Sequence, residues 1–330
     1  MTDPLGRPLR DLRISVTDRC NFRCGYCVPP SGPVRIRPHD EILSFEEIER
    51  VARLVIGLGV RKIRLTGGEP LLRRALDDLV GRLVALPGLE DVGLTTNGFL
   101  LAAQAARPRE AGLRRVTVSL DALDDKRFRR LAGVDVPVST ILGGIDAAIA
   151  TGFAPVKLNM MVLRGVNEDQ ILPLARFARE RGLTLRFIEY MDVGPTNRWR
   201  REDVVGAVDI LARLHAEIPV GPALPRAAGE VAERHRYLDG AGEIGVIASV
   251  TRPFCAACSR VRLTADGRLF TCLFGASAVD LRRPLRAGAM DDELVSVIAS
   301  TWRRRDDRYS QLRAAPPPSG PREAMKVIGG

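Results

Sequence analysis

The six cysteines of this 330-residue chain fall in two groups of three, at 20, 24 and 27 and at 255, 258 and 272. Cys20-x-x-x-Cys24-x-x-Cys27 puts three thiols on one tight loop. Three thiolates can bind three irons of a [4Fe–4S] cube and leave the fourth iron without a protein ligand. An open metal position is where catalytic sites take up a small molecule. A structural zinc is the alternative, but it needs a fourth ligand. The three histidines, His39, His215 and His235, do not stand beside the triplet at zinc-finger spacing. Cys255-Ala256-Ala257-Cys258 with Cys272 is a second incomplete set. Zinc ribbons and redox pairs share C-x-x-C, but a ribbon carries a second pair and a redox pair sits near a βαβ start. A second [4Fe–4S] cluster, again with one open iron, is the simplest reading. Between its ligands, alternation puts Arg260, Arg262 and Thr264 on one face of an extended segment. Arginines beside a cluster suit an anionic substrate.

Composition narrows the classes. At 45% hydrophobic and 27% charged residues, the chain has an ordinary globular composition. No apolar run approaches the length of a membrane span, and the first residues lack an apolar signal core, so no membrane association and a cytoplasmic location are expected. A reducing compartment turns clustered cysteines toward metal rather than disulfides. The net charge of +10 suggests an acidic partner. Only Lys62, Lys126, Lys157 and Lys326 among the 50 basic residues are lysines, a skew that reads as compositional bias. Aromatics are scarce at 5%, which speaks against a base-stacking nucleic-acid surface.

These groups need a scaffold. Short β-branched runs at 12–17, 62–67, 91–96, 114–121, 155–163 and 184–191 read as strands. Amphipathic stretches at 44–58, 72–85, 99–111, 139–151 and 168–181 lie between them, the first opening with the capping box Ser44/Glu47. Strand alternating with helix predicts a parallel sheet with right-handed crossovers. Six units fit an incomplete (β/α)6 TIM-type barrel, with an open doubly wound sheet as the alternative. Polar or glycine-rich residues end every strand: the cysteine loop, Gly67-Gly68-Glu69-Pro70, Thr95-Thr96-Asn97-Gly98, Ser119-Leu120-Asp121, Asn159 and Glu189-Tyr190-Met191-Asp192. Active sites of parallel barrels collect at that end. The reading divides the chain into 1–218, the barrel, and 219–330, a C-terminal domain around the second triplet. Residues 219–235 read as a connection, 242–285 as short strands and turns, 288–304 as a helix, and 314–322 as an extended tail.

The triplet spacing, with Tyr26 before its last cysteine, resembles the signature of radical S-adenosylmethionine enzymes, and Gly67-Gly68-Glu69-Pro70 matches the same family. Nearly the full length resembles the GTP 3′,8-cyclases of molybdenum cofactor biosynthesis. The resemblance rests on 12–27, on Lys62 to Leu71, on Thr95-Thr96-Asn97-Gly98, on the Cys255/Cys258/Cys272 spacing with Arg260 and Arg262, and on the terminal Gly329-Gly330. It implies a reaction in which a 5′-deoxyadenosyl radical takes the 3′ hydrogen of GTP and the ribose carbon joins C8 of guanine. It implies two [4Fe–4S] clusters, on Cys20, Cys24 and Cys27 and on Cys255, Cys258 and Cys272, the second binding the guanine edge. By resemblance, Tyr26, Gly68, Ser119 and Met191 contact S-adenosylmethionine. Arg13, Arg64, Thr95, Lys157, Arg260 and Arg262 contact GTP, with Thr96 the rival of Thr95. Arg13, Arg260, Arg262, Gly329 and Gly330 carry catalysis, the Gly-Gly tail entering the active site. A low-potential electron donor, a homodimer and onward conversion by cyclic pyranopterin monophosphate synthase are also implied. Two rivals are a radical enzyme that modifies peptides and a non-catalytic metal- or RNA-binding protein.

Overall fold

Six strands of the first half run parallel, each beside the next: β1 (Asp11–Ser15), β2 (Lys62–Thr66), β3 (Asp91–Thr96), β4 (Arg115–Ser119), β5 (Val156–Val162) and β6 (Thr184–Glu189). They belong to a computed structural model that describes residues 1–28, 36–193, 199–226, 229–313 and 322–329. The period-2 pattern explains the two faces of the sheet. In β1, Leu12 and Ile14 are fully buried in the core with Val51 and Val55 of the helix Phe45–Gly57, and Arg13 between them points the other way. That helix starts as its sequence requires: Ser44 Oγ accepts from Glu47 N at 3.2 Å, and Ser44 N donates to the Glu47 carboxylate at 2.7 Å.

The second half completes the same sheet rather than standing apart. Its strands are β7 (Val220–Pro222), β8 (Glu233–Tyr237), β9 (Glu243–Ile247), β10 (Arg260–Leu263), β11 (Arg268–Phe270) and β12 (Val279–Asp280). The order is β12-β11-β10-β1-β2-β3-β4-β5-β6-β9-β8-β7. β10 joins β1 in parallel and β9 joins β6 in parallel, so the six-stranded partial barrel is flanked by one further parallel strand on each side. The outer strands are antiparallel. The first cysteine loop lies at the C-terminal strand ends, but Cys255 and Cys258 precede β10 and Cys272 follows the antiparallel β11, so the second triplet lies at the opposite end of the sheet, away from where the sequence reading gathers the site.

Three departures from the sequence reading have local causes. The helix expected over 99–111 is two, Leu101–Gln104 and Ala106–Glu110, because Pro108 has no N–H to give the Gln104 carbonyl. The helices Asp125–Ala132 and Ala207–Glu217 were not singled out, although Asp124 caps the first and Gly133, at φ +65°, ends it. Residues 219–235 are not merely a connection, for β7 and the start of β8 lie there. Glu233-Arg234-His235-Arg236-Tyr237 lacks apolar alternation, and its pairing with β9 makes it a strand. Of the expected extended tail, 314–321 lies outside the described residues. Among those residues no helix is long and apolar enough to cross a membrane.

Candidate active site

The first cysteine loop leaves β1 and is held from several sides. The second strand's loop lies flat against it: Gly68 N donates to Thr17 O at 2.9 Å and Glu69 N to Arg19 O at 2.8 Å. A Cβ on Gly68 would stand 2.2 Å from Arg19 O and 3.0 Å from Cys20 Cβ, so only glycine permits this approach. Glu69, wholly buried, accepts from Thr96 Oγ1 at 2.7 Å, Asn97 N at 2.7 Å and Leu71 N at 3.0 Å. Burial pushes its carboxyl up to about 7 against those three hydrogen bonds. Asn97 Nδ2 then donates to Asn21 Oδ1 at 2.8 Å, tying the third strand's loop to the cysteine loop. Phe22 packs edge-on between Phe99 and Phe128, and Tyr26 OH donates to Asp121 Oδ2 at 2.7 Å. Gly68→Ala is therefore expected to displace Cys20. Iron measured after anaerobic reconstitution should fall by about half, the share of one cube in two; full iron with full activity would contradict it.

The donor set fits a cluster. Burial raises the Cys20, Cys24 and Cys27 thiols, Cys27 to about 12, and their mutual repulsion adds to this for Cys24 and Cys27. Three such thiols become thiolates together only around a strongly positive centre. Among the described residues no three His, Cys, Asp or Glu side chains close on a point for a single ion. A four-iron cube is wider than one ion and takes three sulfurs.

The second triplet lines a cavity of about 430 Å³ in the barrel interior. Cys255 opens a single helical turn, Cys255–Ala257, that Cys258 closes, and Cys272 follows β11. Burial raises the Cys272 thiol to about 12, while at Cys258 burial is outweighed by Arg260 and Arg305, which bring it down to about 6. A buried clamp, which the sequence reading missed, holds this loop. Arg7 Nη1 donates to Cys255 O at 3.0 Å and Arg305 Nη1 to Cys258 O at 2.6 Å. Asp3 Oδ2 lies between both guanidiniums, at 2.5 Å from Arg7 Nε and 3.5 Å from Arg305 Nη1.

The cavity that the second triplet lines is also cationic. Sheet register sets Arg13 beside Arg64 on one side and Arg262 on the other, and like charges in one row oppose folding. Arg186 and Lys157 continue the wall. Gly93 leaves space for Arg64, since a Cβ there would stand 3.2 Å from its Nη1. Arg64 donates only to neutral oxygens, Leu94 O, Thr95 Oγ1 and Thr117 Oγ1, at 3.3–3.4 Å. Arg186 donates to Asn159 Oδ1 at 3.0 Å and Thr117 Oγ1 at 3.2 Å. None of the five has a carboxylate at ion-pair distance among the described residues. Burial lowers all five: Arg64 to about 10, Arg186 and Arg262 to about 9, Lys157 to about 8, and Arg13 well below its ordinary value. Repulsion from neighbouring guanidiniums adds to each shift. Arg262 is buried and the other four are half-buried against the cavity, a cluster of like charges that an anion among them would stabilise.

The tail reaches this wall. After the short helix Met325–Ile328, the Gly329 carbonyl accepts from Arg13 Nη1 at 3.4 Å and from Arg262 Nη1, which also donates to Ile328 O at 3.2 Å.

Of the residues singled out from sequence, Arg13, Arg64, Thr95, Lys157, Met191, Arg260 and Arg262 line the cavity together with the second triplet. Thr96, the rival of Thr95, is spent on Glu69 and on Gly98 N. Tyr26 and Gly68 belong to the first loop, and Ser119 ends β4 opposite Asn159. Gly330 lies outside the described residues. Arg186 was missed, although alternation within Thr184–Glu189 puts it out of phase with the buried Leu185 and Phe187. Asp121 was noted only as a polar strand end.

Residues 14–178 match the Radical SAM superfamily and residues 183–311 match Molybdenum Cofactor Synthesis C. The chain is 56% identical over 319 residues to the GTP 3′,8-cyclase of Acidothermus cellulolyticus, covering 94% of this chain and 88% of the relative. It is 48% identical over 332 residues to the GTP 3′,8-cyclase of Xanthomonas axonopodis pv. citri, covering 100% and 99%. In fold it resembles Streptococcus suis SuiB, crystallised with its precursor peptide SuiA, at a TM-score of 0.61 and 17% identity over 96% of this chain and 75% of the other.

Proposed function

The chain belongs to the GTP 3′,8-cyclases within the radical S-adenosylmethionine superfamily, and from this we propose how its residues share the work. It is a lyase that converts GTP into 3′,8-cyclo-7,8-dihydro-GTP in the first step of molybdenum cofactor biosynthesis. With S-adenosylmethionine, a [4Fe–4S] cluster supplies the 5′-deoxyadenosyl radical that removes the ribose 3′ hydrogen. In this reading Cys20, Cys24 and Cys27 hold that cluster, and Tyr26, Gly68, Ser119 and Met191 shape the pocket for S-adenosylmethionine. Cys255, Cys258 and Cys272 hold a second cluster beside the guanine. Arg13, Arg64, Lys157 and Arg186 bind the triphosphate, Thr95 faces the ribose side, and Arg260 and Arg262 orient the nucleotide between cluster and tail.

The observation that carries the assignment is the row of buried and half-buried cations, without carboxylate partners among the described residues, that lines one cavity with the second triplet. A nucleoside triphosphate supplies the missing anion and a base to reach the far wall. The product is an isomer of GTP, because the hydrogen lost to deoxyadenosyl is made good by an electron and a proton. Each turnover therefore takes two electrons, one to cleave S-adenosylmethionine and one to finish the ring, and a low-potential donor must bring them. The proposal also takes in a homodimer, onward conversion by cyclic pyranopterin monophosphate synthase, a cytoplasmic location, and the division into 1–218 and 219–330.

The test is anaerobic incubation of the reduced, reconstituted protein with S-adenosylmethionine and GTP. Release of 5′-deoxyadenosine that depends on GTP, together with a chromatographically distinct GTP isomer, is expected. Release that depends only on a peptide would overturn the assignment. About eight irons per chain are expected, against about four if the second triplet holds no cube.

The depressed Lys157 gives a pH signature. Burial and the nearby Arg186 bring its ammonium down to about 8 in the free protein, and a bound phosphate would raise it again. Below about 8 Lys157 is charged before and after binding, so affinity is full. Above it, binding must take up a proton and affinity falls. The KM for GTP is expected to be flat up to about pH 7, to be about doubled at pH 8 and to rise several-fold further by pH 9. Lys157→Gln should have a raised KM that rises less steeply, the remaining rise near pH 9 belonging to Arg186 and Arg262; an unchanged slope would remove Lys157 from phosphate binding.

A further inference from the structure

The C-terminal tail carries a cation to the first cysteine loop. Lys326 is only 7% exposed, and its Nζ makes no hydrogen bond among the described residues. The charged groups that face it are Asp18, Cys27, Arg23 and Cys20. Its backbone N–H is also turned to Cys27. Asp18 does not complete it. Asp18 Oδ2 accepts from Arg37 N at 2.9 Å and pairs with Arg37 Nη1 at 3.5 Å, while its Oδ1 is itself buried without a hydrogen bond. A buried ammonium with no acceptor is costly, so its position points to an anion at the first triplet. Three residues further on, Gly329 accepts from Arg13 and Arg262, so one short helix spans the two halves of the site.

We propose that Lys326 anchors the tail to the loaded first site, its ammonium completed by the negative charge held there, so that loading that site holds the tail on Arg13 and Arg262 more firmly. This rests on the reading that Cys20, Cys24 and Cys27 hold a cluster. Two sources share the required chemistry: the cube itself, negative once ligated by three thiolates, and the carboxylate of S-adenosylmethionine bound to it. Lys326 is a positioning residue, for it acts through the tail. The coupling is reciprocal, so losing the ammonium should free the tail without emptying the cluster.

The measurement is hydrogen exchange, by mass spectrometry, of the peptide spanning 322–329 in full-length reconstituted protein, with and without S-adenosylmethionine. The tail of Lys326→Met is expected to exchange about tenfold faster than that of the wild type at equal iron content, with Lys326→Arg restoring protection. A difference already present without S-adenosylmethionine assigns the anion to the cluster. A difference that emerges only on its addition assigns it to the carboxylate. Equal exchange in wild type and Lys326→Met under both conditions overturns the proposal. Wild-type protein that holds no iron on the first triplet would instead overturn the reading beneath it.

Discussion

Replacing Arg262 by alanine is expected to lower product formation by about 10³-fold while leaving the iron content unchanged, since losing one partner of a buried charged contact costs about 2–5 kcal/mol. Arg262 is 3% exposed and stands beside Arg13 in the sheet register, with Cys258 and Cys272 near enough to offset part of its depression. Among the described residues its guanidinium has no carboxylate partner and donates to tail carbonyls alone. Its removal therefore leaves no orphaned carboxylate behind and relieves repulsion among the cations. The fold has no reason to fail, whereas the nucleotide and the tail both lose a donor. Arg260→Ala, which removes a guanidinium lying 5.1 Å over the Phe254 ring, should act in the same direction. Iron and sulfide analysis beside the GTP assay separates the possibilities. A variant that loses iron together with activity would make Arg262 a support of the second cluster instead.

Deleting Gly329 and Gly330 is expected to leave S-adenosylmethionine binding within about twofold and to reduce cyclisation by about 10²-fold, the scale of a catalytic group held out of place. Gly329 sits at φ +69°, and a Cβ there would stand 2.5 Å from Thr66 Cγ2 and 3.1 Å from Ser15 Oγ. One methyl group thus meets both backbone strain and a closed wall. Gly329→Ala should be nearly as damaging as the deletion. If Arg262 acted only through the tail, the deletion would add nothing on the Arg262→Ala background. If it also binds nucleotide, the two losses combine, and a double-mutant cycle reads the difference. A fully active truncation would reduce the tail to a frayed end.

Much of this site was legible in the residues because its logic is local. A triplet of cysteines on one loop states its incomplete ligand set by spacing alone. Strand alternation identifies Arg13 as the odd residue in an apolar strand, and the Gly67-Gly68 pair marks a backbone that must come close to something. The six strand–helix units follow from short-range periodicity and capping, and Ser44 with Glu47 behaves as its spacing requires. Alternation names the face of a strand but not the neighbour across it.

Only sheet register makes Arg13 the neighbour of Arg64 and Arg262. That row turns three separate basic residues into one uncompensated field, and the field selects a polyanion. The clamp of Asp3, Arg7 and Arg305 on the second cysteine loop joins the two ends of the chain, beyond any window in which a pattern could show it. The docking of Gly329 and the burial of Lys326 likewise depend on which surfaces meet. The two cysteine triplets were evident as incomplete ligand sets from the start. What the tertiary structure decided is that the second opens onto a cavity lined by buried and half-buried cations while the tail lies between that wall and the first. The physical reason is that ligation by neighbouring cysteines is a short-range property of the chain, whereas the electrostatic field of a cavity belongs to groups that only the folded sheet brings together.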